Sequence, residues 1–287
     1  IKCVESILQS DIIDKVLVID SESEDKTADI VKQYGIELHD IKKREFNHGA
    51  TRELGRNKLS TDIVIMLTAD VIVLNNETFI NLITPIAKGD AAVTYARQIP
   101  HDGADIFESF PREYNYGLDR QSRAWSDIKE YGVYTFFCSN SCAAYDNKIL
   151  SSIGGFKTVL TNEDYLAVFD LLKAGYRIIY TPNSVVKHSH SYTLLMEFKR
   201  YFDTGYIRGM CPELQVAAGH PDIRGLSYSR EFITSVYKIN ILLIPYALVI
   251  LIIKWFGYKI GYYGKHIPKS IKRIMSQYSF YWDSNYQ

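Results

Sequence analysis

Carboxylates and histidines recur in this sequence where apolar runs give way to polar loops. Asp20 closes the run KVLVID and opens the loop Asp20-Ser21-x-Ser23-x-Asp25-x-Thr27. Asp70 ends the run DIVIMLTAD inside Thr68-Ala69-Asp70, Glu163 and Asp164 stand together before an apolar helical pattern, and His188-Ser189-His190 follows a late strand-like run. Oxygen ligands such as Asp70 can hold a hard divalent cation. A carboxylate about 3 Å from a hydroxyl can take its proton during attack, a contribution of roughly 10²–10⁴-fold. His188 and His190 are two apart, so on an extended segment they share a face. Each feature alone has a plain structural reading. A strand-ending aspartate serves equally as a cap or surface charge, Asn162-Glu163-Asp164 suits the first turn of any helix, and a lone histidine is commonly structural. Their order and spacing together are far more specific.

The elements that must position these residues alternate. KVLVID reads as a buried strand, the segment carrying Ala28, Ile30, Val31 and Tyr34 as a helix stopped by Gly35, and IELHDI as a second strand. A loop through Asn47-His48-Gly49 leads to a helix at Thr51–Leu59, then to the strand at 62–70, a helix at Glu77–Ala87 and the strand AAVTYARQI. That order predicts an α/β fold with a doubly wound, mostly parallel sheet flanked by helices. Ligands of such sheets bind at the carboxyl ends of the strands, where Asp20 and Asp70 fall. His101 to Tyr131 reads as a polar, aromatic-rich helical segment, and YTFFCSNSCAAY as strand-like residues broken by a small-residue cluster. The opening IKCVESIL reads as a helix already under way and not as a signal peptide; a strand is expected ahead of it, so the first strand of the fold is taken to be missing from the sequence.

Composition narrows the function classes. Thirty-three basic residues balance thirty-three acidic ones, which gives no support for a nucleic-acid partner. Four cysteines, Cys3, Cys138, Cys142 and Cys211, form neither a disulfide framework nor a paired zinc cluster and are expected as free thiols in a reducing cytosol. Twenty-two tyrosines, many of them after Tyr192, suit interfaces and sugar-binding surfaces as well as packing. The apolar stretch Ile239–Phe256 is interrupted by Asn240, Pro245 and Lys254, and its strongest run, Ile241 to Ile253, is thirteen residues against the roughly twenty of a bilayer span. It is expected as a buried or membrane-interfacial helix, with the basic, aromatic tail after it suited to anionic headgroups.

Taken in order, these segments resemble the inverting glycosyltransferases of family two, which have a GT-A fold. The resemblance covers nearly the whole chain and divides it into a GT-A domain over 1–192 and a C-terminal helical, membrane-associating region over 193–287. It implies donor contacts from Asp20, Ser21, Asp25, Arg52, Thr68 and Asp70, with Asp20 at the pyrimidine base. The family's D-x-D metal motif is here Thr68-Ala69-Asp70, so threonine replaces the first carboxylate and Asp70 carries the contact to Mg²⁺ or Mn²⁺. His188 is implied as a second metal or diphosphate ligand, and Asp164, the second acid of a Glu-Asp pair whose helix ends in Gly175-Tyr176, as catalytic base. The helix start is expected to keep that base ionised near neutral pH. Glu163, Asn140, His190 and Arg200 are further candidates at the acceptor or diphosphate. Phe46-Asn47-His48-Gly49-x-Thr51-Arg52 and Gly257-Tyr258-x-x-Gly261 are similar to bacterial rhamnosyltransferases, which use dTDP-L-rhamnose to build O-antigens and related surface polysaccharides. That similarity implies a lipid-linked glycan acceptor, a cytoplasmic location and peripheral contact with the inner face of the cell membrane. Two other classes stay open on the residues alone: a nucleotidyltransferase acting on a sugar phosphate, and a non-catalytic membrane-associated scaffold, which would leave the strand-end acids without a role.

Overall fold

The computed structural model describes residues 2–219, 222–284 and 286. It opens with α1 (Lys2–Leu8), β1 (Leu17–Asp20), α2 (Thr27–Gln33) and β2 (Glu37–Asp40). β1 and β2 pair in parallel as a two-stranded sheet, Asp20 opposite Asp40. α3 (His48–Leu59) packs against it so closely that a Cβ on Gly55 would lie 3.2 Å from the Ile19 side chain.

The main sheet is built from β3 (Ile63–Leu67), β4 (Ile72–Val73), β5 (Val93–Ile99), β6 (Gln121–Arg123), β7 (Cys142–Asp146) and β8 (Ile178–Lys187). Its order is β3-β7-β5-β8-β4, with β6 also pairing on β8. β7 runs antiparallel to both β3 and β5, and β5 runs parallel to β8, so the long strands β3, β5 and β8 share one direction. The short β4 and β6 are antiparallel to β8.

Alternation along these strands feeds two cores. Val64, Met66, Val93, Tyr95, Ala143, Tyr145, Ile178 and Tyr180 face α8 (Glu163–Lys173), which contributes Leu166, Phe169, Leu171 and Leu172. Ala96, Cys142, Ala144 and Val186 face α4 (Glu77–Ala87), whose Phe79 and Leu82 are fully buried. Each of the larger aliphatic and phenylalanine side chains among them stabilises the fold by about 1.5–3 kcal/mol relative to exposure. A sheet covered on both faces by helices is the expected α/β architecture.

Several local expectations are corrected. Only Ile106–Asn115 (α5) of the segment read as helical forms a long helix; past Gly117 the chain extends into β6, because the free edge of β8 offers ladder partners to Gln121–Arg123. Arg123 is wholly buried there, donating to Tyr95 Oη and to the Phe137 carbonyl, both at 2.7 Å. The strand read at 62–70 ends at Leu67, where a turn closed by Val71 N–H on the Thr68 carbonyl at 3.2 Å intervenes. YTFFCSNSCAAY begins inside a 3-10 turn, Gly132–Phe136, and only its last residues are strand, within Cys142–Asp146. All four cysteines are free thiols, with Cys138 and Cys142 buried.

After β8 the chain is helical. α6 (Ile128–Tyr131) and α7 (Asn147–Ser152) precede this layer, which consists of α9 (Leu194–Met210), α10 (Pro212–Ala218), α11 (Asp222–Ile239), α12 (Ile244–Tyr262) and α13 (Lys269–Met275). α9 and α12 meet through interleaved glycines: a Cβ on Gly205, Gly209, Gly257 or Gly261 would fall 2.0–2.5 Å from a carbonyl oxygen of the facing helix. Lys254 is buried at this seam, 3.2 Å from Glu197 Oε1 and over the rings of Tyr201 and Tyr228. The opposite face of α12 leaves Leu248, Ile252, Trp255 and Phe256 exposed. Ile241–Tyr262, whose most apolar 18-residue window has a mean hydropathy of 2.1, is long and apolar enough to cross a membrane by length and composition, a longer segment than the thirteen-residue run alone indicates.

Candidate active site

Two clusters form at the carboxyl end of the main sheet. In the first, Asp70, two residues before β4, meets both histidines that follow β8. Asp70 Oδ2 lies 3.3 Å from His188 Nε2 and 3.3 Å from His190 Nε2. The three ligand atoms lie within 4.8 Å of one another, a spacing one cation can bridge. His188 is buried, and its Nδ1 pairs with Gln98 Oε1 at 2.8 Å. Such a partner fixes the ring and leaves Nε2 to a metal. Burial works to raise Asp70, but hydrogen bonding and attraction from His188 outweigh it and hold the carboxyl well below the usual range. Burial, then the neighbouring His188, lowers His190 to about 4, so its imidazole is neutral and available as a ligand. Thr68 stands beside Asp70 as the turn begins, its N–H donating to the Ser141 carbonyl at 3.3 Å.

The second cluster is the acid pair opening α8. Asn162 precedes it in a left-handed conformation (φ 64°) and caps nothing with its side chain. This turns the two carboxylates to different partners. Glu163 is buried and pairs with Arg52, with Asn140 Nδ2 donating to it at 3.1 Å. Burial favours its neutral form, but Arg52 and then His48 reverse that and lower it. Asp164 accepts from Asn140 N–H at 3.1 Å and from Tyr165 N–H at 2.8 Å. Burial, then the charge of Glu163, pushes Asp164 up to about 7. The expectation that the helix start keeps Asp164 fully ionised at neutral pH is therefore corrected: desolvation and a like charge outweigh the dipole.

The loop 139–141 joins the two clusters. Gln98 Nε2 donates to Ser139 Oγ at 2.9 Å, and the next residue, Asn140, holds both acids. Asn140 is itself buried and also accepts from Tyr145 Oη at 2.8 Å. Its side-chain amide and backbone N–H thus cradle the two acids inside the protein. Arg52, expected at the donor, pairs with Glu163 and donates to His48 Nδ1 at 3.3 Å.

The Phe46–Arg52 segment acquires a physical reason. Asn47 caps α3 by accepting from Ala50 N–H at 3.0 Å, while its Nδ2 donates to the Val159 carbonyl at 2.7 Å. Gly49 lies where a Cβ would meet the Lys157 carbonyl oxygen at 2.0 Å. Together they pin α3 to the loop ahead of α8, and Arg52 reaches Glu163.

At the β1 end, Asp20 is buried and accepts from Ser23 N–H at 3.0 Å and from the Ser23 hydroxyl, shaping the loop in which Ser21 lies half-buried. Asp25 is exposed and accepts from Thr27 N–H at 2.9 Å at the start of α2. Arg200, on α9, stacks over Tyr192 at 4.4 Å and faces Glu197 at 3.5 Å. Tyr192 in turn lies 5.2 Å from the His190 ring, which places Arg200 on the histidine side. Sequence reasoning missed Gln98 and gave His48 no role. A polar residue near the end of the apolar run AAVTYARQI was the one signal for Gln98.

The sequence model described as "Glycosyl transferase family 2" matches residues 1–154. The O-antigen chain rhamnosyltransferase RfbN of Salmonella typhimurium (strain LT2) is 34% identical over 275 residues, covering 94% of this chain and 87% of that protein. The O-antigen chain rhamnosyltransferase WbaN of Salmonella anatum is 34% identical over 273 residues, covering 94% and 86%. Among solved structures, the mannosyltransferase PcManGT from Pyrobaculum calidifontis, in complex with GDP-Man and Mn²⁺, superposes with a TM-score of 0.61 at 16% identity, over 92% of this chain and 83% of that one. S. aureus TarS (residues 1–349) gives a TM-score of 0.54 at 12% identity, over 96% and 78%. These likenesses bear out the GT-A fold, and the family match over more than half the chain, with relatives aligned along nearly all of it, decides the matter: this chain belongs to glycosyl transferase family 2 and is a glycosyltransferase.

Proposed function

We propose that the chain is an inverting rhamnosyltransferase that moves L-rhamnose from dTDP-L-rhamnose to a hydroxyl of a lipid-linked O-antigen precursor. The observation that carries the donor and pathway is the near full-length likeness to two O-antigen chain rhamnosyltransferases. The joined clusters support the following reaction. Asp164 takes the proton of the acceptor hydroxyl as that oxygen attacks the anomeric carbon, the bond from that carbon to the diphosphate breaks, and dTDP leaves. One displacement inverts the centre, so a β-configured donor gives an α-rhamnoside. A base raised towards neutrality by burial and Glu163 is better matched to an alcohol proton than an ordinary aspartate is.

Asp70, His188 and His190 are the residues to hold a divalent cation, which when bound supplies positive charge to the departing diphosphate. Two imidazoles with one carboxylate suit Mn²⁺ better than Mg²⁺, which prefers oxygen ligands. Arg200 lies on the same side, and Asp20, Ser21 and Asp25 frame the loop assigned to the nucleotide base. The division into a catalytic domain over 1–192 and a helical region over 193–287 belongs to this reading. So does a cytoplasmic location with peripheral membrane contact: Leu248, Ile252, Trp255 and Phe256 are exposed on α12, and the basic α13 (KSIKRIM) follows it in the chain.

A donor screen tests the proposal. The purified chain with Mn²⁺ is offered dTDP-L-rhamnose, GDP-mannose and UDP-sugars, with octyl glycosides as acceptors. Transfer of rhamnose with an α linkage by NMR is expected; turnover of GDP-mannose alone would refute the donor assignment. Release from vesicles of bacterial lipid by high salt or alkali is expected, and retention under both would mean that Ile241–Tyr262 spans the bilayer.

A further inference from the structure

The C-terminal end of the chain folds back over the acid pair. After α13, Ser276 is buried and Gln277 N–H donates to the buried Asp203 of α9 at 2.9 Å. Farther along, Trp282 is buried against Tyr206, ring centroids 5.1 Å apart. Between these two anchors Tyr278 sits edge-on to His48, centroids 4.8 Å apart, and Phe280 meets Phe46 at 5.9 Å. Tyr286 Oη donates to the Glu45 carbonyl at 3.0 Å, tying the end of the strap to the loop ahead of α3.

Tyr278 is half-buried, and its electrostatic neighbours are Arg200, Glu163, Asp203 and Tyr192. It therefore stands between the acid pair and the histidine side. Among the described residues its hydroxyl makes no hydrogen bond, while its backbone N–H donates to Ser276 Oγ at 3.1 Å. A rigid, half-exposed ring whose hydroxyl makes no internal hydrogen bond is a common way to hold a sugar: the face covers C–H groups and the hydroxyl bonds a ring oxygen or hydroxyl.

We infer that the strap 276–283 forms one wall of the acceptor-sugar subsite, with Tyr278 contacting the acceptor glycoside and Asp203 positioning Tyr278 through Gln277. This rests on the proposed transfer to a sugar hydroxyl. The strap selects the acceptor and leaves the donor and the metal cluster untouched.

The test separates acceptor from donor. Tyr278→Phe is expected to raise KM for octyl glycoside acceptors about 3–10-fold, with kcat and the Kd for dTDP–Mn²⁺ within about twofold. Asp203→Ala is expected to raise the same KM at least as much, and Asp203→Asn, which still offers an oxygen to Gln277 N–H, to restore it. The double variant Asp203→Ala/Tyr278→Phe should be no worse than Asp203→Ala, since both act through one ring. Additive effects, an unchanged KM in Tyr278→Phe, or dTDP affinity falling in parallel would overturn the inference. Should Asp203→Ala fail to fold, Tyr278→Phe and Asp203→Asn decide. If the wild-type chain binds dTDP yet transfers no sugar, the functional reading fails by itself. Saturation-transfer NMR of the same glycosides then decides the strap: weaker binding by Tyr278→Phe upholds it, and equal binding overturns it.

Discussion

The N–H of Asn140 donates to the carboxylate of Asp164 at 3.1 Å, and the side chain of the same asparagine carries Glu163. One residue of a buried loop thus sets the positions of two adjacent acids and directs them to different tasks. Glu163 is fixed in an ion pair with Arg52, and Asp164 keeps a raised proton affinity. Replacing Asp164 by Asn retains the volume and removes the base. Turnover is expected to fall by about two orders of magnitude or more, with dTDP affinity nearly unchanged. Steady-state kinetics alongside calorimetric dTDP binding checks this, and near-normal kcat in Asp164→Asn would remove the base assignment.

The metal cluster makes a graded prediction. Asp70→Ala removes the sole carboxylate among the three ligands and should abolish Mn²⁺-dependent dTDP binding. His190→Ala should weaken Mn²⁺ by about 10–100-fold, and Gln98→Ala, which frees the His188 ring without touching a ligand, by a similar or smaller factor. Mn²⁺ titration followed by electron paramagnetic resonance reads this without turnover. Full activity in excess EDTA would refute the cluster as a cofactor site.

Much of this was legible in the sequence, and the missing parts share a cause. Asp70, Glu163, Asp164 and His188 fall where apolar periodicity stops, which is a local signal. Gln98 carries none: it reaches His188 only because β5 and β8 pair in parallel with Gln98 opposite Val186. Arg52 reads as an ordinary helix-surface arginine until α3 is pinned to the loop before α8 by Asn47 and Gly49. β6 was read as helix because Gln121-Ser122-Arg123 has no strand character of its own; the edge of β8 imposes it. The proton affinity of Asp164 was misjudged for the same reason, since depth of burial is a tertiary property.

The glycine seam between α9 and α12 gives a stability prediction. A Cβ on Gly261 would fall 2.0 Å from the Phe202 carbonyl oxygen, and both atoms belong to helices that cannot yield locally. Gly261→Ala should force the helices apart at a cost of about 1–3 kcal/mol or more, despite the better helix propensity of alanine. Gly225, with open space around its Cβ position, is the control: Gly225→Ala should be neutral or stabilising. Urea melts of the two variants check the contrast, and equal stabilities would mean that the seam is looser than described.

The acid pair also makes activity and stability respond to pH in opposite directions. Asp164 is raised from 3.8 to about 7 in the folded chain, by burial first and Glu163 second. As a base it works when ionised, so kcat/KM should rise with pH and level off above about 7. The linkage sign is the reverse. A carboxyl whose folded value exceeds its unfolded one contributes stability that is fully present below 3.8 and lost as pH rises through about 7. Glu163→Gln removes the neighbouring negative charge and leaves Arg52 without its partner. Both changes favour the ionised form of Asp164, so the acid limb of the rate profile should move down by about one pH unit or more. The cost is structural: an unpaired Arg52 in a buried site is expected to lower global stability by about 3–5 kcal/mol. Rate profiles and denaturant melts from pH 5 to 8, on the wild type, Glu163→Gln and Asp164→Asn, read both effects together. A limb that stays in place in Glu163→Gln would show that Glu163 does not set the proton affinity of Asp164.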